Sequence, residues 1–158
     1  MTLLSAVVLG TAATLLFAAG PASGQGPDPS PDLSPEEVVR IQVEALQRND
    51  EPTPDAGIEA AFRFASPSNR QATGPLARFS RMIRGGYSDM LGFVRAEYGA
   101  IRVDGRQAVQ PVTLVQADGR RVTYVFGLSR QQGGPYDGCW MTDGVAEQPA
   151  SVNGLRRT

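Results

Sequence analysis

The residues from 34 to 148 predict an α+β domain, in which N-terminal helices precede an antiparallel sheet of about four strands. Three observations carry this. Apolar residues recur at helical spacing from Val38 to Ile83. From about Val94 they alternate instead, most clearly at Val122, Tyr124, Phe126 and Leu128. Asp104-Gly105 and Asp118-Gly119 separate the alternating runs, where hairpin turns belong. Helices followed by a strand meander indicate α+β rather than a parallel α/β sheet.

The first helix starts at Ser34-Pro35-Glu36-Glu37. Ser34 caps, Pro35 fits the first helical position and Glu37 completes a capping box. Val38, Ile41 and Ala45 form one stripe, and Val39, Val43 and Leu46 an adjoining one. Asn49 to Pro54 ends this helix. A second is expected from Asp55, as cap, to Phe64, with Ile58, Ala61, Phe62 and Ala65 inward. Ser66 to Arg70 reads as a turn. A third helix spans Pro75 to Arg84, burying Leu76, Phe79, Met82 and Ile83, and Gly85-Gly86 breaks it. Tyr87 to Phe93 is a helical turn or a short fourth helix.

The first strand is expected over Ala96 to Val103 and the second over Gln107 to Ala117. Pro111 cannot donate a ladder bond, so the second strand is an edge or bulged there. The third runs from Arg121 to Ser129, followed by a loop at Gln131 to Pro135. The fourth covers Cys139 to Val145, and Asp143-Gly144 within it suggests a turn or bulge.

The ends have a different composition. Met1 to Pro27 carries no charged side chain, Leu3 to Ala19 is mostly apolar, and Ala22 and Gly24 fit a small-x-small cleavage site. Residues 1–24 therefore read as a signal peptide and the protein as exported, periplasmic or secreted; an uncleaved membrane anchor is the alternative. Residues 25–33 form a Pro-rich linker, 34–148 a single domain, and 149–158 a flexible tail that lacks apolar periodicity.

All 15 basic residues are arginine: the chain has no histidine and no lysine, and its one cysteine is Cys139. Histidine-dependent triads, His/Cys zinc sites and lysine Schiff-base chemistry are thereby excluded. No cofactor, metal site or phosphate loop is expected. A net charge of −1 with export argues against nucleic acid as a partner. A lone cysteine cannot form an internal disulfide, and buried packing is its ordinary use. Arg78, Arg81 and Arg84 share a helix face, either as an anion site or as partners for the nine acids of residues 28–59.

Phe62, Ala65-Ser66-Pro67, Asn69-Arg70, Thr73-Gly74-Pro75, Phe79, Tyr87 and Gly138-Cys139-Trp140-Met141 occur in an order that resembles an uncharacterised bacterial family, the domain of unknown function numbered 4864. The resemblance runs from Leu33 to about Gln148. It implies a cystatin-like or nuclear-transport-factor-like superfold, with helices on a curved antiparallel sheet enclosing a cone-shaped pocket. It implies no activity and no catalytic residues.

Six residues are candidates for ligand binding. Ser66, Asn69 and Arg70 offer polar groups beside Phe62 and Phe64, although Ser, Pro and Asn are also ordinary turn formers. By analogy with the cone, Tyr98, Tyr124 and Trp140 would line the pocket, or else serve as plain core. Asp89, Asp143 and Tyr87 are the groups that acid–base chemistry would use. The leading expectation is a non-enzymatic exported module that binds a small molecule or a protein partner. A small Asp/Tyr enzyme and a homodimer joined through the sheet are the alternatives.

Overall fold

The computed structural model describes residues 26–149. The expected signal peptide lies outside them, as does nearly all of the expected tail. Four helices come first: α1 (Pro35–Gln47), α2 (Ala56–Arg63), α3 (Pro67–Thr73) and α4 (Leu76–Gly86). A 3-10 turn at Ser88–Met90 leads into five strands: β1 (Arg95–Tyr98), β2 (Arg102–Asp104), β3 (Gln107–Val115), β4 (Arg121–Arg130) and β5 (Trp140–Gln148). All pairings in the sheet are antiparallel. The order is β1-β3-β4-β5, with β2 continuing the β1 edge along β3.

The capping box of α1 forms as the sequence predicts. Ser34 Oγ accepts from the Glu37 amide, and the Glu37 carboxylate accepts from Ser34. The inward face of α1 is Val38, Val39, Val43 and Leu46, with Gln42 buried among them. This face meets the inner face of the sheet. There Ala108, Gln110, Val112 and Leu114 of β3 stand opposite Leu128, Phe126, Tyr124 and Val122 of β4. Period-2 alternation puts all eight on one side. Gly57 lets α2 lie directly on α1, because a Cβ there would overlap the Ala45 carbonyl.

The cap of α2 differs from expectation. Asp55 precedes the helix in a left-handed conformation, φ 64°, and its side chain makes no cap bond. Asn49 serves instead: its carbonyl accepts from Gly57 N at 2.9 Å and its Oδ1 from Ile58 N at 3.0 Å. The Asp55 carboxylate accepts from Arg84, Ser80 and Asn49. The expected turn at Ser66–Arg70 is the start of α3, with Ser66 as its cap and Pro67 in the first turn. No residue of α3 is fully buried, which is why apolar periodicity gave no sign of it.

The expected first strand is two strands. Between them, Gly99 N donates to the Pro111 carbonyl at 2.8 Å. In an antiparallel pair of this kind the reciprocal bond would come from residue 111, and proline has no N–H. The Gln110 side chain supplies it, Nε2 donating to the Gly99 carbonyl at 3.0 Å. Pro111 thus lies inside the sheet, where the neighbouring strand is interrupted.

Candidate functional site

One apolar cleft of about 240 Å³ lies between the helices and β5. Its floor is buried: Gln42 and Leu46 of α1, Ala61 of α2, Ile83 of α4, Phe126 of β4 and Thr142 of β5. Its rim is partly exposed, at Asn69, Ala72 and Thr73 of α3, Tyr87, Asp143, Gly144 and Val145. The cleft therefore opens to solvent between α3 and β5.

Thr142 fixes this geometry. The loop from α2 to α3 docks on it as an isolated parallel bridge between Ala65 and Thr142. Thr142 N donates to the Phe64 carbonyl at 2.8 Å, and the Thr142 carbonyl accepts from Ser66 N at 2.9 Å and Asn69 Nδ2 at 3.0 Å. The Thr142 hydroxyl donates to Gln42 Oε1 at 2.6 Å, while Gln42 Nε2 donates to the Ala61 carbonyl at 3.0 Å. Both side chains are almost wholly buried, so these bonds meet a need that would otherwise be costly.

Next to Thr142 the β4–β5 ladder carries a bulge. Gly127 opposes Gly144 and Leu128 opposes Thr142, which leaves Asp143 as the extra residue. Bulges bend a strand and re-aim a side chain, and they recur beside functional sites. Here the bulge sets Asp143 at the cleft rim, as the one carboxylate among its lining residues.

Of the six candidate residues, Asn69 alone borders the cleft. Ser66 is fully buried and holds the start of α3. Arg70 ties α3 to its surroundings, donating to the Arg63 carbonyl at 2.6 Å and to the Tyr136 hydroxyl at 3.1 Å, with its guanidinium against the Phe62 and Tyr136 rings. Tyr98 sits on β1 beneath the Arg40 guanidinium, 5.8 Å from its ring centre, and burial and the Glu44 charge push its hydroxyl pKa up. Tyr124 is 1% exposed, and its hydroxyl is pushed up to about 12 by burial and then by Glu147. Trp140 is 8% exposed and packs in the core. Cys139 is a buried free thiol, its pKa raised by burial and by Asp137.

Of the acid–base candidates, Tyr87 and Asp143 border the cleft and Asp89 does not. Asp89 forms a bidentate pair with Arg120 at 2.8 and 2.9 Å, which holds its carboxyl below the usual range. Gln42 and Thr142 are the residues that sequence reasoning missed. The signal for Gln42 was present: it lies four residues from both Val38 and Leu46, on the apolar face of α1. Thr142 had none, since its partner is 100 positions away.

The fold and the cleft define a class: an α+β protein whose helices close over one face of an open antiparallel sheet, leaving an apolar, solvent-accessible cleft at the β5 edge. Within that class, the chain belongs to the family described as Domain of unknown function (DUF4864), matched over residues 31–153. Neither the curated proteins nor the solved structures contain a significant match to it.

Proposed function

We propose that this protein is an exported, non-enzymatic module that binds a small apolar molecule in the cleft between α3, α4 and β5. The observation that carries this is the cleft's buried floor, which is apolar apart from a hydrogen-bonded Gln42–Thr142 pair and holds no ionisable side chain. Sites for small molecules are concave and apolar with few polar groups. By volume the cleft suits a molecule of roughly ten heavy atoms, since a 150 Å³ cavity takes benzene. Export rests on the apolar segment from Leu3 to Ala19 and the Ala22-x-Gly24 pattern. Amino-terminal sequencing of protein from its native host tests it: a mature start near Gln25 supports export, and intact Met1 on cytoplasmic material removes it.

The binding test uses 2-phenylethanol, followed by amide chemical shifts. Saturable shifts are expected around Ala61, Ile83, Phe126 and Val145. They should vanish in Ala72→Trp, which blocks the rim from an exposed position on α3 while leaving the core intact. Absence of saturable shifts in the wild type would refute the cleft as a binding site. Acid–base catalysis is the second reading, favoured by Asp143 and Tyr87 bordering one cleft. Against it, Asp143 is exposed to water, and the Tyr87 hydroxyl points to the Val145 carbonyl, 3.4 Å away.

A further inference from the structure

The hydrogen bonds around the cleft fix which polar atoms remain for a ligand, and therefore the kind of ligand. Asn69 Nδ2 donates to the Thr142 carbonyl, so its amide orientation is set and Oδ1 is the atom left over. The Thr73 hydroxyl donates its one proton to the Asn69 carbonyl at 2.8 Å, leaving only lone pairs. The Thr142 hydroxyl is likewise committed. Gln42 Nε2 faces the Ala61 carbonyl, so Gln42 Oε1 must accept, and Thr142 gives it its proton. The Tyr87 hydroxyl is directed to a carbonyl. Among the described residues, the Asp143 carboxylate has no hydrogen-bond or ion-pair partner, and no arginine lines the cleft. Two side-chain donors are left unused: the second amide hydrogen of Gln42, deep in the floor, and that of Asn69 at the rim. At the rim, acceptors outnumber that one donor, with Asn69 Oδ1, Thr73 Oγ1 and the Asp143 carboxylate, and the only charge among the lining residues is negative.

We infer that the cleft selects small amphipathic amines: an apolar body on the floor and an ammonium at the rim, donating to Asn69 Oδ1, Thr73 Oγ1 and the Asp143 carboxylate. An ammonium carries three donors and no acceptor. Its donors suit these three acceptors, and bonds in which both partners are charged are the stronger kind. An anionic head would face the Asp143 carboxylate, with a single Asn69 amide hydrogen and no cation to offset it. The inference rests on the binding reading above and adds to it the sign and polarity of the ligand.

Phenethylamine, 2-phenylethanol and phenylacetate share a body and differ in the head, which makes them the probes. Titration calorimetry on the full mature chain at pH 7 and low salt should rank the amine about tenfold or more above the alcohol, with the carboxylate weakest. The amine's advantage should shrink in high salt. Asp143→Asn should bring the amine down to about the affinity of the alcohol and change the alcohol far less than the amine. If phenylacetate binds as well as the amine, or if Asp143→Asn weakens all three probes equally, the inference is wrong while the cleft stands as a site. If none of the three binds the wild type, the binding reading itself falls, and this one with it.

Discussion

At position 110 a glutamine stands on the buried face of a central strand, 0% exposed, with its amide nitrogen bonded to the Gly99 carbonyl and its Oε1 without a partner among the described residues. Such a residue is costly in a core unless it meets a larger need. The need comes from Pro111, whose missing N–H would otherwise leave the Gly99 carbonyl unbonded. Gln110→Leu should therefore destabilise the fold by about 1–3 kcal/mol, the usual cost of a lost buried bond. In a Pro111→Ala background the backbone N–H returns, and the same substitution should cost little or nothing. Denaturant melts of the four proteins form a double-mutant cycle, and equal costs in both backgrounds would refute the compensation. Trp140 raises a simpler question of volume. It is buried at the start of β5 but away from the cleft, so Trp140→Ala should cost about 3–5 kcal/mol, the range for emptying a large aromatic site. A melt showing a loss under about 1 kcal/mol would contradict that packing.

At the scale of elements, α4 shows how charge was resolved. Of its arginine row, Arg84 alone pairs, with Asp55 and Asp50 in the α1–α2 connection, whereas Arg78 and Arg81 make no ion pair among the described residues. Arg84→Gln should lower stability by about 0–1 kcal/mol, less in high salt, and the same change at Arg78 or Arg81 should do nothing measurable. Three single-mutant melts at two salt concentrations check this, and equal losses at all three positions would contradict it. Helices with an apolar stripe were legible in the sequence: α1 down to its capping box, and α4 by Phe79 and Ile83. The short α3 was not, because Ser66, Pro67 and Asn69 serve a turn and a helix start equally well, and the bonds that decide between them come from Thr142. Likewise, the alternation of β4 could be read directly, but the break between β1 and β2 depends on pairing with Pro111, a cross-strand fact. The bulge was half visible, in Asp143-Gly144. Its place at a cleft rim was not.

At the scale of the whole molecule, the titratable groups point one way. Glu37, Asp55, Asp89 and Glu97 are all held below their usual carboxylate range, first by hydrogen bonds from the Ser34 backbone, Arg84, Arg120 and Arg121 respectively. A carboxylate depressed in the folded state contributes stability that is present above its unfolded value, about 4, and is lost as pH falls through the folded value. With no histidine in the chain, no side chain of ordinary pKa titrates between pH 6 and 8. The urea midpoint should thus be flat from pH 6 to 8 and fall below about pH 4; a slope across the neutral range would contradict this. The bonds at Thr142 join β5 with the segment around Ala65, made far earlier, so the α2–α3 loop is not docked on the sheet until β5 is in place. Contacts of such long sequence separation form slowly, and apolar surface stays uncovered while the chain waits for them. A chain that stops before Trp140 has the four described helices and four of the described strands, yet lacks the bonds from Ser66 and Asn69 to the Thr142 carbonyl that help seat α3. The cleft is therefore complete only once β5 is in place, since Thr142, Asp143, Gly144 and Val145 of that strand line it.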